Sequence, residues 1–208
     1  MADPGRPRGP ALNGPVYPPL PVDRPPGLTL TVQTWRLFRL AAKPFAEWSW
    51  AAFPDPRHRF DSIAGLHRVR YAATTEAGAA RERYRDSGGW VPATHADHYW
   101  TELTGELALL DLRSDEALDA LGVDARISTG YEDHVQATCR LLTDRTHGWW
   151  DDEVHGFAYT SRTTPETSTK VAFFAQAPLI GTSTALAECT EVLERLILTG
   201  AIQVDFTF

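Results

Sequence analysis

The sequence has little sulfur: it contains two cysteines, Cys139 and Cys189, and one methionine among 208 residues. Two cysteines cannot build the disulfide framework of a small secreted domain or a zinc site made of cysteine pairs. Long apolar runs are also missing, and none approaches the roughly 20 residues that a helix needs to cross a bilayer. The N-terminus lacks the apolar stretch of a secretory signal peptide. We therefore expect a cytoplasmic protein with reduced thiols that does not bind membranes.

The glycine-rich loops that commonly bind nucleotide phosphates are missing as well. Neither Gly-x-Gly-x-x-Gly after a strand nor Gly-x-x-x-x-Gly-Lys-Ser/Thr occurs in the chain. Lys and Arg total 20 against 27 Asp and Glu, which gives a formal net charge of −7. A chain this acidic is a poor candidate for binding nucleic acid through its overall field, so we expect no direct nucleic-acid binding.

Proline is concentrated at the N-terminus. Residues 1–27 hold nine of the 15 prolines and four of the 15 glycines. Such a stretch buries little apolar surface, so it predicts a disordered tail that precedes one domain over residues 28–208. The composition favours a dispensable leader, and a docking segment for a proline-binding partner is the alternative.

Hydrophobic periodicity predicts an α+β fold. Apolar residues in alternation predict a strand or a broken pair of strands at 28–40, and strands at 68–73 and 202–208. Residues 103–112, 156–161 and 171–176 are also predicted to form strands. Capping signals and apolar stripes predict helices at about 75–86 and 114–122, and around residues 135–142 and 186–196. Because the helices do not alternate regularly with the strands, we expect a mixed and antiparallel sheet flanked by helices. The C-terminal alternation also predicts that Phe206 belongs to the core.

One set of side chains forms the strongest candidate site: Arg39, Arg59, Tyr71, Glu82 and Ser161. Tyr71 lies in a predicted strand and Glu82 in the helix that follows, so one strand-to-helix step can bring an aromatic ring and a carboxylate to one cleft. Glu82 also lies among three arginines, and a charge run of this kind is usually a solvated helix face.

Three other features carry weaker signals. His95 and His98 have the spacing of one helical face, but no third ligand follows at a familiar spacing, so we expect a solvated turn and no metal. Ser161 lacks the Gly-x-Ser-x-Gly elbow of many serine hydrolases. The pair Trp149-Trp150 is more typical of a core or an interface than of a base-stacking platform.

The order of several short motifs resembles the RES domain family, which is named for an arginine, a glutamate and a serine. The segments that carry the resemblance are Trp35-Arg36-Leu37-Phe38-Arg39, Arg59-Phe60-Asp61, Val69-Arg70-Tyr71-Ala72-Ala73 with Glu82 eleven residues after Tyr71, Leu110-Asp111-Leu112 followed by Leu118 and Leu121-Gly122, and Gly156-Phe157-Ala158-Tyr159-Thr160-Ser161-Arg162. The resemblance extends over residues 34–178. Where the family has a pair of glycines before its second arginine, this chain has Arg57-His58.

This resemblance implies an ADP-ribosyltransferase-like fold and an enzyme that consumes NAD. RES proteins are toxins of toxin–antitoxin pairs that hydrolyse or phosphorolyse the nicotinamide–ribose bond. The implied partner is a helix-turn-helix antitoxin, the substrate is NAD, and no metal is needed. By the same resemblance, Arg39 and Arg59 hold the phosphates of NAD, Tyr71 packs against the nicotinamide end, Glu82 is the catalytic carboxylate and Ser161 helps to position the substrate.

These residue types suit that chemistry. Breaking the glycosidic bond builds positive charge on the ribose, which a fixed carboxylate stabilises. Arginine binds a pyrophosphate through a planar, permanently charged fork. Two alternatives stay open: an ADP-ribosyltransferase acting on a protein acceptor, and a catalytically silent RES-fold binding module. The presence of all five residue types favours an enzyme.

Overall fold

The structure, a computed structural model, describes residues 16–164 and 166–208. The strands in this part of the chain are β1 (Thr31–Ala41), β2 (Arg70–Ala73), β3 (Trp90–Val91), β4 (Tyr99–Asp111), β5 (Gly156–Thr160), β6 (Thr169–Phe173), β7 (Ile180–Ala185) and β8 (Gln203–Val204). The α-helices are α1 (Glu76–Arg83), α2 (Asp115–Leu121), α3 (Arg126–Thr129), α4 (Asp133–Trp150) and α5 (Thr190–Leu198). None of these helices is long and apolar enough to cross a membrane.

Six strands form a mixed sheet that closes on itself. Residues 31–41 of β1 pair antiparallel with residues 99–109 of β4, and Phe38 of β1 pairs with Ala73 of β2. Because the remaining order is β2-β6-β5-β4, five strands form a ring, and β7 extends the sheet beyond β4. The β4–β5 pair is parallel, whereas the other pairs of this sheet are antiparallel. The predicted α+β class, with a mixed and antiparallel sheet flanked by helices, is confirmed.

Apolar clusters cover the sheet and fix the helices on it. Helices α2 to α4 pack over one cluster, in which the ring of Phe60 stacks on Phe157 with centroids 4.7 Å apart. A second cluster holds α1 and α5 beside β1. The residues that α1 buries are small, namely Gly78, Ala79 and Ala80. This helix therefore lies close to its neighbours, and its last turn is brought near the edges of β1 and β6.

The helix ends follow from capping residues. The Thr75 hydroxyl accepts a hydrogen bond from the Gly78 amide at 3.1 Å and starts α1. Ser114 does the same for α2, which ends at Gly122 with a φ of 67°. The sequence predicted the first start at Thr74 or Thr75 and the second at Ser114, because a hydroxyl before a helix satisfies a free amide of the first turn. The positive φ at Gly122 is a conformation that favours glycine.

Gly78 allows α1 to contact the loop before β6. A Cβ atom at this position would lie 2.2 Å from Ser168 Oγ and 2.7 Å from Ser168 Cβ, whereas one at Gly148, in α4, would meet nothing within 4 Å. We expect Gly78→Ala to destabilise the protein by about 1–3 kcal/mol through overpacking. Gly148→Ala should instead stabilise it by about 0.5–1 kcal/mol, because alanine has the higher helix propensity. Denaturant unfolding of both variants measures the contrast, and equal shifts would show that α1 and this loop do not touch.

The N-terminal boundary predicted at Leu28 is wrong for residues 16–27. Tyr17 and Leu20 are buried in the cluster beneath α2 to α4. The Tyr17 hydroxyl donates to Asp124 Oδ1 at 2.8 Å, and the Trp149 indole donates to the Val22 carbonyl at 2.9 Å. The segment has no helix or strand, and the buried side chains of Tyr17 and Leu20 anchor it to the domain. Residues 1–15 of the predicted tail lie outside the described residues.

Leu20→Ala tests this packing. The Leu20 side chain is 5% exposed, whereas Val16 in the same segment is 74% exposed. We expect Leu20→Ala to cost about 2–4 kcal/mol, the usual loss for a truncated core leucine. Val16→Ala should stay within about 0.5 kcal/mol, as surface changes do. Thermal unfolding compares the two, and a Leu20→Ala variant as stable as Val16→Ala would mean that the segment does not pack.

The C-terminal end also differs from its prediction. The predicted strand over residues 202–208 is reduced to β8, which pairs in parallel with β3. Ile202 is buried, but Phe206 is only half-buried and Phe208 is exposed. The alternation was correct for Ile202, and the strand stops because β3 offers only two residues for pairing. The edge strand β7 was not predicted, since its sequence is mostly small and polar.

Candidate active site

A cavity of about 550 Å³ opens where β1 and β2 meet the end of α1. Its walls come from β1 and β2, the loop before β2, the last turn of α1, the start of α4 and the segment between β5 and β6. The residues that line it are Phe38, Arg39, Leu40, Arg57, His58, Arg59, Tyr71, Ala72, Ala79, Glu82, Arg83, Arg85, Asp86, Tyr131, Gln136, Tyr159, Arg162 and Lys170. Four of the five predicted site residues are among them, and Ser161 is not.

The lining is strongly cationic although the chain as a whole is acidic. The cationic residues in the wall are Arg39, Arg57, Arg59, Arg83, Arg85, Arg162 and Lys170, and the carboxylates are Glu82 and Asp86. Burial lowers the pKa of His58, so this ring adds no charge at neutral pH. A concave wall with this excess of positive charge attracts and holds an anion.

Glu82 places a carboxylate at the wall of the cavity. Its side chain is 37% exposed, with Lys170 Nζ 3.7 Å from Oε2 and Arg85 Nη1 3.6 Å from Oε1. Glu82 is therefore more than one charge on a solvated helix face. Its side chain lines the cavity and lies beside the buried ammonium group of Lys170. Glu76, at the other end of α1, instead forms an ion pair with Arg195 of α5 at 2.8 Å.

Lys170 was not among the predicted site residues. It lies on β6 and is 3% exposed, and its ammonium group donates to the Gly78 carbonyl at 2.7 Å. Burial lowers its pKa to about 8, and nearby Glu82 acts in the opposite direction. The sequence contained a signal for this residue, namely a lysine within a strand of mostly apolar residues. A buried ammonium group is costly without a partner, so such a lysine indicates a nearby acceptor or carboxylate.

Arg39 lies at the seam between β1 and β2. Its Nη1 donates to the Tyr71 carbonyl, and its guanidinium lies 5.3 Å from the ring centre of Trp48. Burial, together with Arg70 and other arginines, lowers its pKa to about 10, so it stays cationic at neutral pH. Arg39 thus offers the cavity a fixed positive charge.

Arg59 is more fully engaged with the protein itself. It is 8% exposed, and its two terminal nitrogens donate to the carbonyls of Ile127 at 2.7 Å and Gly130 at 2.5 Å. These two carbonyls belong to the end of α3 and the turn that leads to α4. Arg59 therefore links the loop before β2 to this turn. Its guanidinium group also lies in the wall of the cavity, to which it adds a positive charge.

Tyr71 supplies an aromatic wall. Its hydroxyl accepts a hydrogen bond from the Phe60 amide at 3.0 Å, and burial raises its pKa well above the usual value. Tyr159 of β5 lies nearby, and burial followed by the charge of Glu82 raises its pKa too. Both phenols therefore stay neutral at neutral pH and line the cavity as uncharged aromatic side chains.

Ser161, which the resemblance implies helps to position the substrate, lies behind the cavity wall. It is 0% exposed, and its Oγ accepts hydrogen bonds from the amide of Thr164 at 3.1 Å and from the Thr164 hydroxyl at 3.0 Å. These bonds shape the turn after β5 that carries Arg162 into the cavity. Arg162 in turn lies 4.1 Å from the ring centre of Tyr131, and both of these lining residues were missed in the sequence.

The weaker sequence signals lie elsewhere. His95 and His98 stack with centroids 3.9 Å apart, and the described residues contain no cluster suited to a metal ion. Trp150, the last residue of α4, is buried in the core cluster on which this helix packs. Trp149 contacts the N-terminal segment through its indole. This placement agrees with a structural role for the tryptophan pair.

Both the sequence and the fold of this chain have matches among known proteins. The family model for the RES domain matches residues 33–191, and the chain belongs to this family. A chain of the crystal structure of the M. tuberculosis MbcT-MbcA toxin–antitoxin complex has a similar fold, with a TM-score of 0.56. The match covers 82% of this chain and 95% of that chain at 14% sequence identity. Curated proteins gave no sequence match.

Proposed function

We propose that this protein is an NAD-degrading enzyme that cleaves the nicotinamide–ribose bond. The observation that carries the proposal is the placement of Glu82, whose carboxylate reaches a cavity lined mainly by arginines and aromatic rings. NAD carries an anionic pyrophosphate, a flat aromatic base and a ribose that becomes cationic when that base leaves. Each of these three parts has a matching group in the cavity wall.

The pyrophosphate finds its counter-charges in the arginines. Arg39 is held by Tyr71 and Trp48 before any ligand arrives, so little ordering is needed on binding. Arg59 adds its charge from the opposite loop. Charge-assisted bonds from guanidinium groups to phosphate oxygens are short and directional, which fixes the position of the dinucleotide.

The nicotinamide end lies against Tyr71 in this arrangement, with the ribose near Glu82. The bond from ribose C1′ to the nicotinamide nitrogen breaks, and its electron pair goes to the nicotinamide, which leaves as a neutral base. The Glu82 carboxylate stabilises the positive charge that develops on the ribose. The oxygen of the acceptor then forms a bond to C1′ and releases its proton to solvent.

Membership in the RES family supports a toxin that acts on NAD in the cytoplasm. The complex with a similar fold pairs a toxin with its antitoxin, and this likeness supports an antitoxin partner for this chain. The helix-turn-helix type of that partner is what the RES resemblance implies. The two cysteines of the chain are buried free thiols, which agrees with a reducing compartment.

Nicotinamide release tests the proposal. The purified full chain is incubated with NAD in buffer alone, with inorganic phosphate, and with a bacterial protein extract, and the products are separated by chromatography. We expect free nicotinamide in at least one arm, with ADP-ribose, its 1-phosphate or ADP-ribosylated protein identifying the acceptor. If NAD stays intact in all three arms while calorimetry shows that it binds, a silent binding module replaces the enzyme.

A further inference from the structure

Lys170 is one of two lysines in a chain that uses arginine for nearly all its positive charge. The other, Lys43, is exposed, whereas the Lys170 side chain is 4% exposed. Lys170 lies opposite Ala73 of β2 and Tyr159 of β5 in the closed ring of strands. An ammonium group at such a position needs a reason, because burying a charge costs more than burying an apolar side chain of similar volume.

The surroundings of Lys170 point to a single partner. Its ammonium donates to the Gly78 carbonyl on α1 and lies 3.7 Å from Glu82 on the same helix. The other charged groups that act on it, Arg85 and Arg162, are cationic and disfavour its charge. Glu82 is thus the carboxylate that balances Lys170 in the described part of the chain.

Glu82 has one buried cationic neighbour and one exposed cationic neighbour. Arg85 approaches Oε1 from an exposed turn, with 36% of its side chain accessible. Lys170 approaches Oε2 from the floor of the cavity and is anchored at both ends, by its strand and by the Gly78 carbonyl. The buried lysine therefore limits the directions in which the carboxylate can point.

We propose that Lys170 is a positioning residue that holds the Glu82 carboxylate toward the ribose site. This inference rests on the proposed cleavage of NAD, and it adds to it a residue outside the five that the RES resemblance implies. The ammonium form makes this contact, and a neutral amine would not hold the carboxylate in the same way.

The proposal has a consequence for pH. The pKa of Lys170 is lowered to about 8, so turnover should fall as the pH rises through this value. Stability should change in the opposite direction. Because the unfolded chain keeps this proton up to the ordinary lysine pKa of about 10.4, the folded state gains stability from this group between the two values. The nearby phenol of Tyr159 stays neutral over this range, since burial raises its pKa.

Three variants test the role in catalysis. Lys170→Met keeps the length of the side chain without its charge, and the exposed Glu82 can stay solvated, so the variant should fold. We expect kcat to fall about 10-fold to 100-fold, as for a misplaced catalytic group, with little change in KM. Lys170→Arg should recover part of the loss and remove the alkaline fall in turnover. Lys43→Met, the matched control on the surface, should behave as the parent protein.

A second measurement does not depend on activity. With lysine labelled at its ε carbon, the protein gives two lysine signals for NMR titration. Lys170 should titrate at a lower pH than Lys43, and Glu82→Gln should lower its pKa further, because the negative charge that favours the ammonium is gone. A Lys170 titration unmoved by Glu82→Gln, or a Lys170→Met variant with parental kcat and pH profile, overturns the inference. Parent protein that leaves NAD intact overturns the proposed function instead, even where the two side chains titrate as a pair.

Discussion

Glu82→Gln should fold normally, bind NAD almost as tightly as the parent protein, and turn it over about 10²–10³ times more slowly. The amide keeps the shape and the hydrogen-bonding reach of the carboxylate but removes its negative charge. That charge matters when the ribose becomes cationic, and the loss of one preorganised electrostatic group has this magnitude. The ground-state affinity changes little, because the cation exists only near the transition state.

Glu76→Gln is the matched control on the same helix. Glu76 pairs with Arg195 and is not part of the cavity wall. This substitution should leave turnover unchanged and cost at most about 1 kcal/mol of stability, as for an exposed ion pair. Steady-state rates of nicotinamide release for the two variants decide between the carboxylates. An inactive Glu76→Gln variant together with a fully active Glu82→Gln variant would place the catalytic carboxylate at the N-terminal end of α1, at Glu76.

Arg39→Lys and Arg59→Lys should both weaken NAD binding, but only Arg59→Lys should also destabilise the fold. Lysine keeps the positive charge and loses the planar fork that binds two oxygens at once. Arg59 donates to the carbonyls of Ile127 and Gly130, and a lysine cannot serve both with the same geometry. Since hydrogen bonds from charged groups contribute about 1.5–3 kcal/mol each, we expect a loss of at least about 1.5 kcal/mol for Arg59→Lys.

Calorimetric titration with NAD and thermal unfolding separate these two effects. Arg39 makes one backbone hydrogen bond, to Tyr71, and we expect Arg39→Lys to unfold within a few degrees of the parent protein while its NAD affinity falls. Unchanged affinity for both variants would move the pyrophosphate to other arginines of the cavity, such as Arg83 or Arg162. An Arg59→Lys variant as stable as the parent would show that its two carbonyl contacts contribute nothing.

Much of the fold could be predicted because it rests on local signals. Thr74 or Thr75 and Ser114 marked helix starts and Gly122 a helix end, since capping depends on a few neighbouring residues. Strand alternation identified β1 and β2, and strands were also predicted where β4, β5 and β6 lie. The closure of the ring through the single Phe38–Ala73 pair was beyond such reasoning, because no local pattern records which strands meet.

The order of the motifs predicted the candidate site residues, but the excess of positive charge in the cavity was not predicted. The net charge of −7 describes the whole chain, whereas the cavity collects arginines from distant segments. Lys170 reaches Glu82 only because β6 lies beside β2 in the ring. Ser161 was predicted to help position the substrate, and its buried place behind the wall reflects bonds to Thr164 that spacing alone does not reveal. The composition of the proline-rich segment predicted disorder, but Tyr17 and Leu20 are buried in the core and hold residues 16–27 against the domain.

The central claim is that this cavity breaks the bond between nicotinamide and ribose, with Glu82 as the group that makes it possible. Proton NMR of NAD mixed with the purified full chain follows that bond directly, through the anomeric proton of the nicotinamide ribose and the ring protons of free nicotinamide. With the parent protein and with Glu76→Gln, we expect the anomeric signal of NAD to disappear as free nicotinamide appears in equal amount. With Glu82→Gln, the same change should be far slower. Cleavage at the pyrophosphate, or equal rates for the two glutamate variants, would contradict this claim.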